Sequence, residues 1–199
     1  MGPAGSANWN AILDSAEDIL REEGYGALTS RHIAERMGIK QRLIYYYFHT
    51  MDDLIVQTFR RLSERDLRRL TRTLGSPRPL HEMWQFSIHT TDVRLISEFM
   101  ALANRIDRLR SEVIVFVEES RRIQVSALQK AMKKKVLPGF PSAVGAALFA
   151  TSLALSLIRE AELGITTGHK EAATIVGRFL AAIEPTPQSG QPVGRKRSQ

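Results

Sequence analysis

A short stretch rich in tyrosine and in cationic side chains is the most chemically distinctive part of this sequence. Gly38 to Leu54 reads GIKQRLIYYYFHTMDDL, and no acidic residue lies between Arg36 and Asp52. Arginine can donate two hydrogen bonds to O6 and N7 of guanine, and glutamine can pair with N6 and N7 of adenine. Tyrosine hydroxyls can bond to phosphates or base edges, while the rings can contact thymine methyl groups. The stretch therefore contains the side chains that nucleic acid recognition uses.

Positive charge is concentrated near this stretch. The whole chain has 28 Lys and Arg against 21 Asp and Glu, a net charge of +7, and solubility alone can explain such an excess. Between residues 29 and 50, however, four cations (Arg31, Arg36, Lys40 and Arg42) face only Glu35. This local balance predicts contact with a polyanion.

The apolar spacing predicts the helices that would position these side chains. A stripe from Trp9 to Leu20 indicates a first helix. Two short helices then follow, from Thr29 to Met37 and from Lys40 to Phe48, separated by a glycine turn. These are the dimensions of a helix-turn-helix, whose second helix enters the major groove of DNA.

The second short helix is predicted to face the core through Ile44 and Phe48, which are four residues apart. Its other long side chains are then predicted to point outward together: Gln41, Arg42, Leu43, Tyr45, Tyr46 and Tyr47. The alternative is that LIYYYF is an ordinary core helix. Three consecutive residues cannot all face one core on a helix, so the sequence favours the outward arrangement.

Residues 10–55 resemble the DNA-binding region of the TetR family of bacterial regulators. The shared blocks are an LT that opens the second helix, a glycine between hydrophobic residues, a tyrosine-rich helix and an acidic pair before leucine, seen here as LTSRHIAERMGIKQRLIYYYFHTMDDLI. The sequence departs from the family pattern at four positions. Lys40 replaces a frequent serine N-cap, Tyr47 the usual histidine, His49 a common proline, and Met51 a lysine that commonly contacts phosphate.

The resemblance implies a role for each matching residue. Thr29 and Ser30 would donate to phosphate, Arg31 would reach the groove edge, Gln41 and Arg42 would contact bases, and Tyr45, Tyr46 and Tyr47 would contact backbone and methyl groups. Lys40 or Arg42 would replace the phosphate contact missing at Met51. The resemblance also implies a homodimeric transcriptional regulator on double-stranded operator DNA, a repressor released by a small hydrophobic effector.

The remaining chain is predicted to be helical as well, giving an all-α fold of about nine helices. The segment VIVFV at 113–117 has strand propensity, but charged flanks at helical spacing favour a helix. We expect a helix-turn-helix domain over residues 1–50 and an effector-binding and dimerisation domain over 51–184, connected by a helix from about 51 to 74. Residues 185–199 are predicted to be a disordered basic tail, whose RKR solubilises rather than binds.

The last two predicted helices contain more apolar surface than a helix with one solvated side needs. A homodimer interface would bury that surface, whereas the alternative is burial within one chain. The predicted interface residues are Ala147, Leu148, Ala150, Thr151, Ala154, Leu155, Ile158, Val176, Phe179, Leu180 and Ile183.

Large apolar or amphipathic side chains in the middle helices are predicted to line a cavity for a hydrophobic small molecule. They are Met83, Trp84, Phe86, His89, Phe99, Met100 and Phe116. Each could instead be ordinary core, and His89, beside Thr90 and Thr91, could be a loop residue.

Catalysis has no support in the sequence. The five histidines are scattered, and neither a metal-binding spacing, a nucleophile elbow nor a Gly-rich phosphate loop is present. We therefore expect no enzyme activity, cofactor or metal. A signal-peptide layout and a long unbroken apolar run are also lacking, which predicts a cytoplasmic protein with no membrane partner. The alternative function is a helix-turn-helix scaffold that acts through protein–protein contacts without binding DNA.

Overall fold

The computed structural model describes residues 4–90, 92–133 and 142–185. Across these ranges the chain forms nine α-helices and one 3-10 turn, without strands, so the all-α prediction is confirmed. The helices are α1 (Ala7–Glu22), α2 (Ser30–Met37), α3 (Gln41–Tyr47), α4 (Met51–Thr73), α5 (Pro79–Thr90), α6 (Val93–Ala103), α7 (Asp107–Met132), α8 (Ala143–Glu162) and α9 (His169–Ile183). The predicted break at 137–141 and the predicted tail from 186 onward lie outside the described residues.

Local sequence determines where the N-terminal helices begin and end. Thr29 caps α2 by accepting a hydrogen bond from the His32 amide at 3.1 Å. Gly38 ends α2 in the left-handed region at φ +65°, which a residue with a Cβ rarely adopts. At the start of α4, Thr50 and Asp53 form a capping box in which each side chain accepts from the other's amide.

A first hydrophobic core holds α1, α2, α3 and the beginning of α4 together. Its fully buried side chains include Ile12, Leu13, Ile19, Leu20, Ile33, Leu54 and Leu109. The same core includes Phe99 of α6 and Val113 of α7. It thus contains residues from both sides of the domain boundary expected at residue 50.

A second core joins the far end of α4 to α5, the second half of α7, α8 and α9. Its members are Leu70, Leu80, Met83, Ile123, Ala127, Leu128, Ala146, Ala147, Val176, Leu180 and Ile183. The buried Glu184 carboxylate, which follows α9, accepts hydrogen bonds from the Leu80 and His81 amides near the start of α5. These amides have no partner within their own helix.

Two long helices belong to both cores. α4 contributes Leu54 to the first core and Leu70 to the second, and α7 contributes Leu109 and Ile123 in the same way. Since a packed helix behaves as a rigid rod, a shift at one core is transmitted to the other.

An ion-pair network ties α1 to α4 and α6. The Glu17 carboxylate is only 5% exposed and lies 2.7 Å from Arg21, 2.9 Å from Arg65 and 3.3 Å from Arg61. Arg21 also lies 2.7 Å from Asp92, the residue that caps α6. Because a buried charge is costly unless it is paired, these contacts fix the three helices relative to one another.

We expect Glu17 to make stability depend on pH. Burial raises the pKa of Glu17, but hydrogen bonds and positive charge from Arg65 and Arg21 outweigh it and leave this pKa below the ordinary 4.5. The folded state then binds the proton less tightly than the unfolded chain. The stabilisation is therefore fully present above the unfolded pKa and is lost as the pH falls through the folded pKa.

Replacing Glu17 by Gln should lower the free energy of unfolding at neutral pH by about 1–3 kcal/mol, measured by urea unfolding. The difference from the native protein should shrink once the pH is lowered well below 4.5. Asp14→Asn is the matched control, since Asp14 pairs with Arg61 but its side chain is 68% exposed. An equal loss in both variants would contradict the role of the buried carboxylate.

Candidate nucleic-acid interface

The short helix α3 is held to the first core from one side. Ile44 is 1% exposed and Phe48, directly after the helix, is 2% exposed. The Phe48 ring stacks on Trp9 of α1 with 5.7 Å between centroids. The prediction that Ile44 and Phe48 face the core is confirmed. Lys40, at the N-cap of α3, makes no side-chain capping bond.

Most of the side chains predicted to face DNA are at the surface. Those of Thr29, Arg31, Lys40, Gln41, Arg42, Tyr45 and Tyr46 are exposed. Leu43 is half-buried and packs against the first core. Met51, where the family pattern has a lysine, packs against that core too. The exposed residues bring both hydrogen-bonding groups and positive charge to one end of the molecule.

The predicted outward position of Tyr47 is wrong. Its side chain is 7% exposed and belongs to the first core, because a position three residues after Ile44 lies on the same face of a helix. The exposed Tyr46 ring packs edge-on against it, with centroids 5.2 Å apart. The spacing from Ile44 was visible in the sequence and could have identified this residue.

Ser30 does not occupy the phosphate-facing position predicted for it. Its side chain is buried because two residues of α3 cover its hydroxyl group. Gln41 Nε2 donates to Ser30 Oγ at 2.8 Å, and Tyr45 Oη lies 2.9 Å from the same atom. Ser30 therefore orients Gln41 and Tyr45 and links α2 to α3.

Fewer unpaired positive charges lie at this surface than the sequence of residues 29–50 predicted. Arg36 pairs with Glu22 at 2.7 Å and Glu23 at 3.3 Å. These acids come from the end of α1, outside the window of residues 29–50. Arg31 pairs with Glu35 at 2.8 Å, although both side chains are largely exposed, so that pair is weak.

Lys40 and Arg42 are the unpaired cations of this surface. Neither forms an ion pair with any residue that the structure describes. Lys40 also lies at the positive end of the α3 dipole, where an anion is favoured. The surface can therefore accept phosphate groups beside a set of hydrogen-bonding side chains.

The residues predicted to form one effector pocket are divided between two cavities. The terminal cavity, of about 330 Å³, lies among α5, α7, α8 and α9 and is lined by Met83 and Trp84. The central cavity, of about 510 Å³, lies among α1, α4, α5, α6, α7 and α8 and is lined by Phe86, Phe99, Met100 and Phe116. His89 lines neither, because it is on the exposed side of α5 rather than in a loop.

The apolar surface of α8 and α9 is displaced from the predicted interface. Five of the predicted residues are buried inside the chain itself: Ala147, Ala154, Val176, Leu180 and Ile183. Ala150, Thr151, Leu155, Ile158 and Phe179 are half-buried. Of the predicted interface residues, Leu148 is the exposed one, at 49%. The small alanines let α8 pack closely on its neighbours, which turns that stripe inward.

The surface that remains open, here called the α8–α9 face, consists of Val144, Leu148, Phe149 and Ile175. α8 is also long and apolar enough to cross a membrane by length and composition, with only 17% of its most apolar window buried. An exposed apolar surface of this kind marks contact with another protein, a ligand or a membrane.

Metal binding finds no support in the parts of the chain that the structure describes. Across them, no three His, Asp or Glu side chains gather closely enough to hold an ion.

Comparison with known proteins gives a family match for the N-terminal helices and a shared fold for most of the chain. The family profile described as "Bacterial regulatory proteins, tetR family" matches residues 12–58, which span α1 to the beginning of α4. No curated protein sequence matches the chain.

Solved structures share the fold over most of the chain. Reduced NemR from E. coli has a TM-score of 0.74 at 16% identity, covering 87% of this chain and 97% of that one. A regulator from Saccharomonospora viridis, solved in complex with choline, has a TM-score of 0.75 at 16% identity, covering 86% and 94%. A TetR-family regulator from Rhodococcus sp. gives 0.67 at 17% identity, covering 87% and 97%. Residues 12–58 thus match the tetR-family profile, and most of the chain has the same all-helical fold as these solved structures of transcriptional regulators.

Proposed function

We propose that this protein is a cytoplasmic homodimeric repressor that binds a specific operator and is released by a small hydrophobic ligand. The observation that supports the proposal most directly is the exposed side of α3. There, Gln41, Arg42, Tyr45 and Tyr46 lie beside the unpaired Lys40. The buried Ile44 fixes the helix from behind, so the exposed side can lie in a major groove without unfolding.

Each exposed residue has a role suited to its chemistry. Arg42 contacts a guanine and Gln41 an adenine, because both can form bidentate hydrogen bonds to base edges. Tyr45 and Tyr46 contact backbone and thymine methyl groups. Thr29 Oγ1 accepts from the His32 amide, so its own hydroxyl hydrogen remains available for a phosphate.

Lys40 and Arg31 complete the proposed contact by electrostatics. Lys40 is at the N-cap of α3, where a bound phosphate would offset the unfavourable position of a cation at a helix N-terminus. Arg31 is 81% exposed and would leave Glu35 to reach the groove edge. Breaking so exposed an ion pair costs little.

Arg42→Ala is expected to weaken binding to the selected operator and to relax base preference at one position. The loss should be about 1–3 kcal/mol, since one bidentate base contact is removed. Bound fragments selected from random duplexes define the operator, and fluorescence anisotropy then measures affinity over a series of salt concentrations.

Arg68→Ala is the matched control for Arg42→Ala, because Arg68 is an exposed arginine of α4 that pairs with Glu64. It should leave base preference unchanged. Equal effects of the two substitutions would contradict the role of Arg42. Binding that is absent, or insensitive to salt, would favour the scaffold function, because several phosphate contacts require a steep fall in affinity with salt.

Tyr46→Ala and Tyr47→Ala should separate DNA contact from core packing. Tyr46 is 52% exposed, so its removal should weaken operator binding while thermal stability changes little. Tyr47 is buried, and its removal should cost about 3 kcal/mol of stability. Thermal unfolding and anisotropy on both variants provide the test, and a large stability loss in Tyr46→Ala would assign that ring to the core.

The α8–α9 face supports dimerisation. A single short helix in one groove gives limited affinity, so helix-turn-helix proteins bind as dimers with half-sites about 34 Å apart. The side chains of this face, Val144, Leu148, Phe149 and Ile175, are 49–62% exposed. A second copy of the chain, related by two-fold symmetry, would cover them.

Leu148→Glu is expected to raise the dimer dissociation constant at least about 100-fold, because burying an unpaired carboxylate is costly. Sedimentation velocity measures the change, and operator affinity should fall with it. Ile114→Glu is the control, since Ile114 is a comparable apolar side chain, 54% exposed, on α7 and is not one of the residues of this face. A monomeric native protein, or one that partitions into lipid vesicles through α8, would contradict the dimer.

Ligand release follows from the spacing of the two recognition helices. A ligand that binds better when this spacing does not match the operator lowers DNA affinity by its differential binding free energy, typically about 1–3 kcal/mol. The central cavity is the proposed effector site. Glu17 and Arg21 of α1, a helix of the expected helix-turn-helix domain, form part of its wall, so a ligand there would contact the DNA-binding domain directly. That a regulator of the same fold was solved with choline supports small-molecule binding in this class of helical domain.

A further inference from the structure

The central cavity is lined by both apolar and charged side chains. The apolar lining includes Phe59, Phe86, Phe99 and Phe116, and the Phe59 ring packs edge-on against Phe99 at 5.1 Å and Phe116 at 5.9 Å. A volume of about 510 Å³ suits a small organic molecule. The volume and the lining of the cavity therefore fit a ligand with an apolar body and one polar end.

The charged lining contains more cations than anions. The arginines are Arg21, Arg65, Arg69 and Arg121, and the carboxylates are Glu17, Asp66 and Asp92. Arg21 and Arg65 are already paired: Arg65 lies 2.9 Å from Glu17, and Arg21 bridges Glu17 and Asp92 at 2.7 Å each. The buried network of the fold thus accounts for two arginines and two carboxylates.

Arg69 and Arg121 remain, with Asp66 as the only other carboxylate of the wall. Neither arginine forms an ion pair within the described part of the chain. Burial raises the pKa of the Asp66 carboxyl above its usual value, and the charges of Arg65 and Arg69 only partly offset this. The free cations of the wall therefore outnumber the free anion.

We propose that the central cavity binds an amphipathic organic anion, with its apolar body on the phenylalanine cluster and its carboxylate at Arg69 and Arg121. Arginine suits this role because its planar guanidinium donates paired hydrogen bonds to a carboxylate. The inference rests on the proposed function, since it names the ligand class of the effector site.

An amphipathic cation is the competing ligand, because aromatic rings attract quaternary ammonium groups. Such a cation would lie beside two unpaired arginines with only Asp66 to balance them. Coulomb repulsion from two arginines disfavours a cation in a partly buried cavity. The charge of the wall consequently favours the anion.

The test uses three probes that share a ten-carbon chain: decanoate, 1-decanol and decyltrimethylammonium. Titration calorimetry on the full-length protein, below the micelle concentration of each probe, gives the three dissociation constants. Decanoate should bind at least about tenfold more tightly than either of the others, since it alone gains the arginine contacts.

Arg69→Gln and Arg121→Gln should each weaken decanoate binding by about tenfold and leave decanol binding unchanged. Arg68→Gln is the matched control, because Arg68 neighbours Arg69 on the same helix but pairs with Glu64 and does not line the cavity. Arg69 is exposed, so its variant keeps the test available if Arg121→Gln fails to fold.

Four results would each overturn the proposal. Decyltrimethylammonium binds most tightly, decanol binds as tightly as decanoate, no probe binds, or decanoate affinity is unchanged in both arginine variants. Operator binding by the ligand-free protein is measured on the same samples. If the ligand-free protein does not bind the operator, the proposed regulatory function is wrong but the ligand preference is unaffected. Failure of the proposed function can therefore be told apart from failure of the ligand proposal.

Discussion

One-sided burial of a helix only seven residues long is the constraint on which the proposed DNA-binding surface depends. Ile44, Tyr47 and Phe48 occupy the inner side and are held by the first core. About two turns of helix have no other means of staying in place, because isolated helices of this length are unstable in water. The inner side thus fixes which side chains face outward. Burial of the inner side leaves four side chains exposed on the other side: Gln41, Arg42, Tyr45 and Tyr46.

Hydrogen bonds between α2 and α3 add a second level of order. The Ser30 hydroxyl holds Gln41 and Tyr45 before any nucleic acid is present. Side chains that are already ordered lose less conformational entropy on binding, which favours affinity. The same bonds must rearrange if Gln41 is to meet a base edge, so they also penalise a sequence that offers no replacement partner.

The sequence predicted the positions of the helices more accurately than it predicted which side of each helix faces the core. Caps, glycine stops and apolar spacing are local signals, so the helix-turn-helix and even the helical state of residues 113–117 followed from them. Contacts between distant segments leave no such signal. The pairing of Arg36 with Glu22 and Glu23 depends on how α2 lies against the end of α1. The turning of Ala147 and Ala154 toward the core likewise depends on where α8 packs. The division of the effector residues between two cavities required the tertiary arrangement for the same reason.

The wall between the two cavities connects ligand binding to the α8–α9 face. Ser87, Gln124 and Thr151 line both cavities, and Thr151 Oγ1 lies 3.2 Å from Gln124 Oε1 and 3.0 Å from the Ala147 carbonyl oxygen. This polar seam joins α7 to α8, while Phe149 and Ile175 belong to both the terminal cavity and the exposed face. A ligand that fills the central cavity therefore presses on a helix whose other side is the proposed dimer contact. Because α4 and α7 also reach the first core, a displacement of these helices by the proposed ligand would act on both the proposed dimer contact and the position of α3. Coupling between ligand and operator then requires no contact between them, only a difference in how well the two packed arrangements accommodate the ligand.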